Sequence, residues 1–173
     1  MKLETLQSMK DRRSIKSYLP DQIKKEELDT VLEAGIYAAN GRGLQSAKIV
    51  VVQDKETRDL LSRLNAQVMG TDIDPFYGAP TVLIVFADSE SHTYLEDGSL
   101  VMGNLMLGAY AVGLGSCWIH RAKEVFEMPE GKELMEKWGL DAKYKGVGHC
   151  ILGYIKGDMP KAKPRKADYI LRV

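Results

Sequence analysis

The chain has 173 residues, 45% hydrophobic and 28% charged, which fits one domain able to bury its own core without disulfides or metals as staples. Lys plus Arg equal Asp plus Glu at 24 each, so the net charge is zero and no global field favours a polyanion, which excludes nucleic acid as an expected partner. The opening MKLETLQSMKDRR lacks the apolar core of a signal peptide and no apolar run reaches bilayer length, so the expected setting is cytoplasmic, without membrane contact.

Leu3, Leu6 and Met9 recur at helical spacing and predict a first amphipathic helix. A second follows Pro20-Asp21, where Leu28, Val31, Leu32 and Ile36 share one face. Residues 48–53 (KIVVVQ) form a β-branched run, and Asp54 behind it is a predicted N-cap for a helix carrying Leu60, Leu61, Leu64 and Val68. Gly78-Ala79-Pro80 introduces residues 81–87 (TVLIVFA), apolar on both faces and hence a central strand. Residues 99–112 are apolar nearly all round, the mark of a helix buried in the core or a subunit interface, and too short to span a bilayer. Gly113-Leu114-Gly115 ends that helix, because glycine accepts the left-handed conformation at a helix end. Residues 116–120 (SCWIH) predict a short strand, 123–127 and 131–138 short helices, and 147–155 (VGHCILGYI) a last strand. No repeat or linker divides the chain, so residues 1–173 read as one domain, and the alternation of helices and strands points to a layered α/β or α+β architecture.

Between the first two helices lies Arg12-Arg13-Ser14-Ile15-Lys16-Ser17-Tyr18, with three cations and two serine hydroxyls in succession. A guanidinium binds two phosphate oxygens through a planar fork, an ammonium adds a compact charge, and a hydroxyl takes a third oxygen. Most basic runs are only solvated faces. Here a second one exists: Lys161, Lys163, Arg165 and Lys166 fall in a stretch containing Pro160 and Pro164, which cannot form a regular helix. Two basic loops at opposite ends of one domain suit a shared dianion. The familiar phosphate loops are missing, since there is no G-x-x-x-x-G-K-[ST] and no G-x-G-x-x-G between a strand and a helix. Asn40-Gly41-Arg42-Gly43 falls instead between a helix and a strand, with the composition of a helix C-cap and turn. His92, His120 and His149 lack metal-ligand spacing, and Cys117 and Cys150 sit inside apolar strand-like runs, so neither a metal site nor a disulfide is expected. No nucleophile-elbow motif supports a hydrolase.

In combination these residues resemble the FMN-dependent nitroreductases, over nearly the whole chain. RRSIKSY is similar to the family's R-R-S-x-R/K-x-[FY] segment, GLGSCWIH after a long apolar helix to its G-L-G-x-x-W/P-I loop, and ILGY followed by KPRK to its late strand and terminal phosphate-binding tail. YGAPTVLIVFAD ahead of the central helix also fits. The chain departs from the family where many members carry A-P-S-x-x-N-x-Q-P-W. It has Ala38-Ala39-Asn40-Gly41-Arg42-Gly43-Leu44-Gln45-Ser46-Ala47 there, so the Pro, Ser, Asn, Pro and Trp positions are changed.

The resemblance implies an α+β, three-layer nitroreductase-like fold, with a mixed, mainly antiparallel sheet between helices, in an intertwined homodimer holding two FMN sites at the subunit interface. By alignment Arg12, Arg13, Ser14 and Lys16 grip FMN, Lys163 and Arg165 join at its phosphate, and Asn40 and Gly41 reach across the dimer. A cation at the place implied for Lys16, near flavin N1 and the adjacent carbonyl, stabilises the reduced ring electrostatically. The loop after Gly115 is implied to donate a backbone N–H toward flavin N5, the atom that takes and gives hydride, and the donor falls among Trp118, Ile119, His120 and Arg121. Core packing accounts equally well for Trp118 and better for Cys117. His120 and Arg121 are polar at the end of an apolar strand, where open-sheet sites tend to form. Phe76 and Tyr77 either line the pocket or are loop aromatics.

The activity implied is that of an NAD(P)H-dependent FMN oxidoreductase. Hydride comes from NADH or NADPH, and a small acceptor, nitroaromatic- or quinone-like, is reduced at the same flavin face in a ping-pong cycle. Flavin N5 is the reactive centre, so no side chain is singled out as catalytic and no metal is involved. Two alternatives stay open: a specialised flavin enzyme on the same fold, such as a dehalogenase, or a non-catalytic module that stores FMN or regulates through it.

Overall fold

The computed structural model of the chain describes residues 4–173. Strands β1 (Ala47–Val52), β2 (Thr81–Asp88), β3 (Gly115–Ile119) and β4 (Tyr144–Gly153) form one sheet in the order β1-β2-β4-β3. In β2 every residue from Thr81 to Ala87 is buried, so neither face meets water and the strand takes an inner position. All pairings within the sheet are antiparallel; among the described residues the one parallel contact is an isolated bridge between Ser14 and Ser116, beside the sheet's edge. The β2–β4 register slips between Val85 and Phe86, which pair with Gly148 and Gly146, leaving Val147 as a bulge.

Side chains alternate across β2 and build two cores. Val82, Ile84 and Phe86 pack with Leu61 and Leu64 of α3 (Lys55–Met69), Val125 and Phe126 of α5 (Ala122–Glu127) and Leu134 and Met135 of α6 (Pro129–Lys137). Leu83, Val85 and Ala87 pack with Leu28 and Val31 of α2 (Lys25–Ile36) and Met102 and Leu105 of α4 (Tyr94–Ala111). The result is a sheet between two helical layers. Helices α2 and α4 approach closely through Gly108, where an added Cβ would fall 2.7 Å from the Ala34 Cβ. At the same crossing the Asn104 amide donates to the Ala34 carbonyl at 2.9 Å.

The predicted first helix forms as α1 (Glu4–Asp11), with Leu6 and Met9 facing solvent, while Leu3 lies outside the described residues. Asp54 caps α3 as its position predicts, accepting from the Thr57 N–H at 2.8 Å. Helix α4 starts five residues earlier than the apolar pattern indicates, at Tyr94 against residue 99. The reason is that its polar first turns are partly internal: Asp97 is buried and hydrogen-bonded, so it breaks the pattern without breaking the helix. Likewise β4 begins at Tyr144, because the polar-looking Tyr144, Lys145 and Gly146 pair with Asp88, Ala87 and Phe86.

His149 lies in the middle of β4, fully buried, with its ring centre 5.2 Å from that of Phe76 and 6.0 Å from that of Phe126. Neither ring nitrogen has a hydrogen-bond partner, and burial pushes its pKa down from 6.5 to about 4. The unfolded chain therefore binds a proton at His149 below about pH 6.5, and the folded chain only near pH 4. Stability due to neutral His149 is complete above the unfolded value and is lost as the pH falls to about 4, by about 3 kcal/mol. Urea unfolding between pH 7 and pH 4 should show a stability loss smaller by that amount in His149→Leu than in the parent. Parallel pH profiles for the two proteins would contradict it.

Candidate functional site

Segment 12–18 lies along the outer edge of β3. The Ile15 N–H donates to the Ser116 carbonyl at 2.9 Å, the Lys156 N–H to the Ser17 carbonyl at 3.1 Å, and the Leu19 N–H to the Tyr154 carbonyl at 2.9 Å. These bonds tie the segment to the sheet at both ends, with Ile15 and Tyr18 buried in the core while Ser14, Lys16 and Ser17 stay exposed. The Tyr18 hydroxyl donates to the Ile15 carbonyl at 2.8 Å, and burial raises its pKa well above the usual phenol value. Arg13 donates to the carbonyls of Lys10 and Arg12 at 2.6 and 2.8 Å, leaving its buried Nε without an acceptor. The Arg12 guanidinium rests against Met106 Sδ at 4.0 Å. Among the described residues none of Arg12, Arg13 and Lys16 has a carboxylate partner.

Cys117, on the inner side of this strip, reports how close the three outer groups are. Burial raises its thiol pKa, against the opposing pull of the Ser14 hydroxyl and of the Lys16 and Arg12 charges. The thiol is thus protonated and unreactive at neutral pH. Lys16 Nζ stands 5.4 Å from the centre of the Tyr77 ring, a cation–π distance. Tyr77 holds a left-handed conformation, φ 52°, in a turn organised by Asp74. That carboxylate accepts from Arg58 Nη2 at 2.6 Å, from the Phe76 and Gly78 N–H groups at 2.9 and 2.7 Å, and from the Ser62 hydroxyl. Partial burial works to raise the Asp74 pKa, but these donors outweigh it and hold it below the ordinary carboxylate range. Phe76 itself is wholly inside the core, so of the two aromatics only Tyr77 borders the strip.

At the far end of β3, Ile119 is buried, His120 is exposed and Arg121 is left-handed, φ 75°, where it caps α5. Trp118 faces the opposite side of the strand from Cys117 and covers Gly148, where an added Cβ would lie 2.3 Å from the indole nitrogen. Its side chain packs the core. The strip and the β3 corner thus bring Arg12, Arg13, Ser14, Lys16, Ile119, His120 and Arg121 to one edge strand.

The remaining expected residues lie elsewhere in the chain. Asn40 accepts from the Gln45 N–H at 3.0 Å and donates to the Ala38 carbonyl at 3.3 Å, so its amide shapes its own loop. Asp97 accepts from the Gly41 N–H at 2.9 Å and from the Ser46 hydroxyl at 2.8 Å. Among the described residues no hydrogen bond or ion pair joins this loop to segment 12–16. Lys163 and Arg165 are exposed in a tail that leaves the sheet beside Ser17, at Lys156, and neither forms an ion pair among the described residues. Three polar residues with structural grip, Asn65, Asp74 and Asp97, stand out only in the folded chain. The available signal is that Asn65 and Asp97 occupy core-facing positions of helices α3 and α4.

A cleft of 340 Å³ lined by Leu32, Ile36, Ala47, Ile49, Val51 and Val101 runs beside edge strand β1. Another, of 190 Å³, between α5, α6 and the start of β4, shares no residue with the strip or the corner. Among the described residues no group of His, Cys, Asp and Glu is placed to hold a metal ion.

These elements define a three-layer α+β protein with a cation-lined strip along one edge strand. The chain belongs to the nitroreductase family: the family model matches residues 9–73 and 73–154. A protein of Archaeoglobus fulgidus, named provisionally as an NADH dehydrogenase/NAD(P)H nitroreductase, is 28% identical over 160 residues, covering 90% of this chain and 87% of that protein. The crystal structure of a nitroreductase with bound FMN from Bacteroides fragilis superposes with a TM-score of 0.89 at 28% identity, covering 98% of both chains. An FMN-dependent nitroreductase from Clostridium difficile gives 0.79 at 28% identity over 95% of both.

The Asn40 loop depends on one buried carboxylate. Asp97→Ala strands the Gly41 N–H and the Ser46 hydroxyl, which should lower stability by about 2 kcal/mol. Urea unfolding at pH 7 measures the difference, and an unchanged midpoint and slope would remove Asp97 from this role.

Proposed function

We propose that this chain is an NAD(P)H-dependent FMN oxidoreductase, with the flavin phosphate on the strip from Arg12 to Lys16 and the ring between Tyr77 and the β3 corner. The observation that carries this reading is a set of three cations that have no carboxylate partner among the described residues, one with a buried Nε lacking any acceptor there, beside the edge strand of a nitroreductase-family fold. The residues fit the group. Two guanidiniums and a hydroxyl match a phosphomonoester, Ile15, Tyr18 and Cys117 make an apolar floor, and Lys16 stands beside the Tyr77 ring. The flavin bound by the Bacteroides fragilis nitroreductase and the NAD(P)H in the name of the Archaeoglobus fulgidus protein support the choice of cofactor and donor.

When bound, FMN supplies the two-electron chemistry between NADH or NADPH and a small nitroaromatic- or quinone-like acceptor. The chain's own residues bind, orient and tune. Arg12, Arg13 and Ser14 anchor the phosphate through charge-assisted hydrogen bonds. Lys16, held against the Tyr77 face, puts a fixed positive charge at the edge of the ring, where it favours the electron-rich form. Ile119, His120 and Arg121 offer backbone N–H groups, while Trp118 contributes packing behind them. Lys163 and Arg165 complete the phosphate site.

Asn40 and Gly41 reach the flavin from a second copy in an intertwined homodimer. What favours the dimer is that their loop has no hydrogen bond or ion pair to the strip of its own chain among the described residues. Ile36, Tyr37, Leu44, Leu100 and the tail residues Tyr169, Ile170 and Leu171 are also exposed apolar surface. We place this dimer in the cytoplasm, each chain folding as one domain; among the described residues no helix is long and apolar enough to cross a membrane.

Purified protein supplied with FMN should bind about one per chain and sediment as a dimer, and anaerobic NADH or NADPH should bleach the bound flavin. Arg12→Ala should weaken FMN binding about tenfold to a hundredfold, the equivalent of roughly 1.5–3 kcal/mol. Protein that takes up no FMN would defeat the reading. Bound flavin untouched by either nicotinamide would replace it with storage or regulation, and a flavin-loaded monomer at micromolar concentration would remove the dimer.

A further inference from the structure

We infer that Asn65 is the positioning residue that aims the Arg121 backbone N–H at the flavin ring. The inference rests on the reading above, which puts the ring against the β3 corner. Asn65 is fully buried on the core side of α3, a place where a carboxamide is unfavourable unless its polar atoms are bonded. Both ends of its side chain are bonded to the corner. Nδ2 donates to the His120 carbonyl at 2.8 Å, and Oδ1 accepts from Arg121 Nε at 3.1 Å. These two hydrogen bonds join α3 to the corner. His149, the register partner of Ile119, lies beneath the same backbone with its ring toward the Ile119 and His120 carbonyls, but it sits on β4 and does not tie the corner to α3.

The consequence follows from peptide geometry. In a trans peptide the carbonyl and the N–H point in opposite directions. Pinning the His120 carbonyl to α3 therefore turns the Arg121 N–H away from α3, and among the described residues that N–H meets no acceptor. The orientation also requires Arg121 to stay left-handed at φ 75°, a conformation that a residue with a Cβ adopts only when its surroundings impose it. The hydrogen bonds from α3 impose it. Without them Arg121 relaxes to negative φ, and the peptide swings its donor off line. A fixed donor in a site closed to water acts on the ring far more strongly than a mobile one.

The test uses the full chain loaded with FMN, in the parent and two variants. Asn65→Leu keeps the volume and removes both bonds. Asn65→Asp keeps an acceptor for Arg121 and loses the donor to the His120 carbonyl, and it carries the test where the leucine variant fails to fold. In the parent, FMN should shift the Arg121 amide resonance downfield. In the variants that shift should vanish and anaerobic flavin reduction at saturating NADH or NADPH should slow about tenfold to a hundredfold, with FMN affinity changed less than about threefold. A parental amide shift and reduction rate in Asn65→Asp would overturn the inference. So would affinity and rate falling by the same factor, which is the behaviour of a merely structural residue. A parent protein that binds and reduces FMN with no response at the Arg121 amide would also overturn it while leaving the flavin reading intact. A parent that takes up no FMN would remove that reading, and this inference with it.

Discussion

The rest of the site depends on the burial of Ile15 and Tyr18 against the edge of the sheet. Three cations within five residues repel one another, but at the surface that repulsion is on the order of 1 kcal/mol per close pair. Burying the two apolar bodies contributes roughly 1.5–3 kcal/mol each, and the backbone bonds to Ser116 and Tyr154 add to it. Burial wins, so the charges are carried on a docked backbone, and among the described residues no carboxylate pairs with them. The same docking sets the Cys117 thiol beneath Ser14 and Lys16 and starts the basic tail at Lys156, next to Ser17.

Around this strip, backbone strain and polar bracing occur together. The left-handed residues other than glycine are Arg42, Gln45, Tyr77 and Arg121. Each lies in a loop tied by a polar side chain from another part of the chain or from the loop's own start: Asp97 and Asn40 for the first two, Asp74 for Tyr77, and Asn65 for Arg121. Strained backbone persists only where its surroundings over-determine it, and such strain concentrates at functional loops. Tyr77, beside Lys16, is the place where such strain is seen to border the strip, and Arg121 lies at the other end of β3. The Asn40 loop is braced as firmly, through Asp97 and its own amide, and among the described residues it has no hydrogen bond or ion pair to the strip.

Much of this architecture was legible in the residues, for physical reasons that differ from element to element. The β2 run was plain because a strand buried on both faces is apolar throughout, and Asp54 was plain because a capping side chain bonds locally, three residues on. The start of α4 was hidden because Asp97 satisfies its charge with Gly41 and Ser46, more than 50 residues away in sequence. The cation strip was visible as composition, but its rigidity comes from Ser116 and Tyr154, which no local pattern links to it. Asn65 was silent for the same reason, its partners being 55 and 56 residues along the chain. The two basic segments suggested convergence on one dianion. Among the described residues the tail is hydrogen-bonded to the strip at its root, Lys156 to Ser17, while Lys163 and Arg165 are exposed farther along it.

That the strip and the β3 corner form one flavin site is tested most directly by amide hydrogen exchange, followed by mass spectrometry with and without FMN. Binding there slows exchange in residues 12–18 and 115–121 together and leaves residues 123–146, around the cleft between α5 and α6, unchanged. Protection confined to 123–146, with both edge segments exchanging as before, would contradict it.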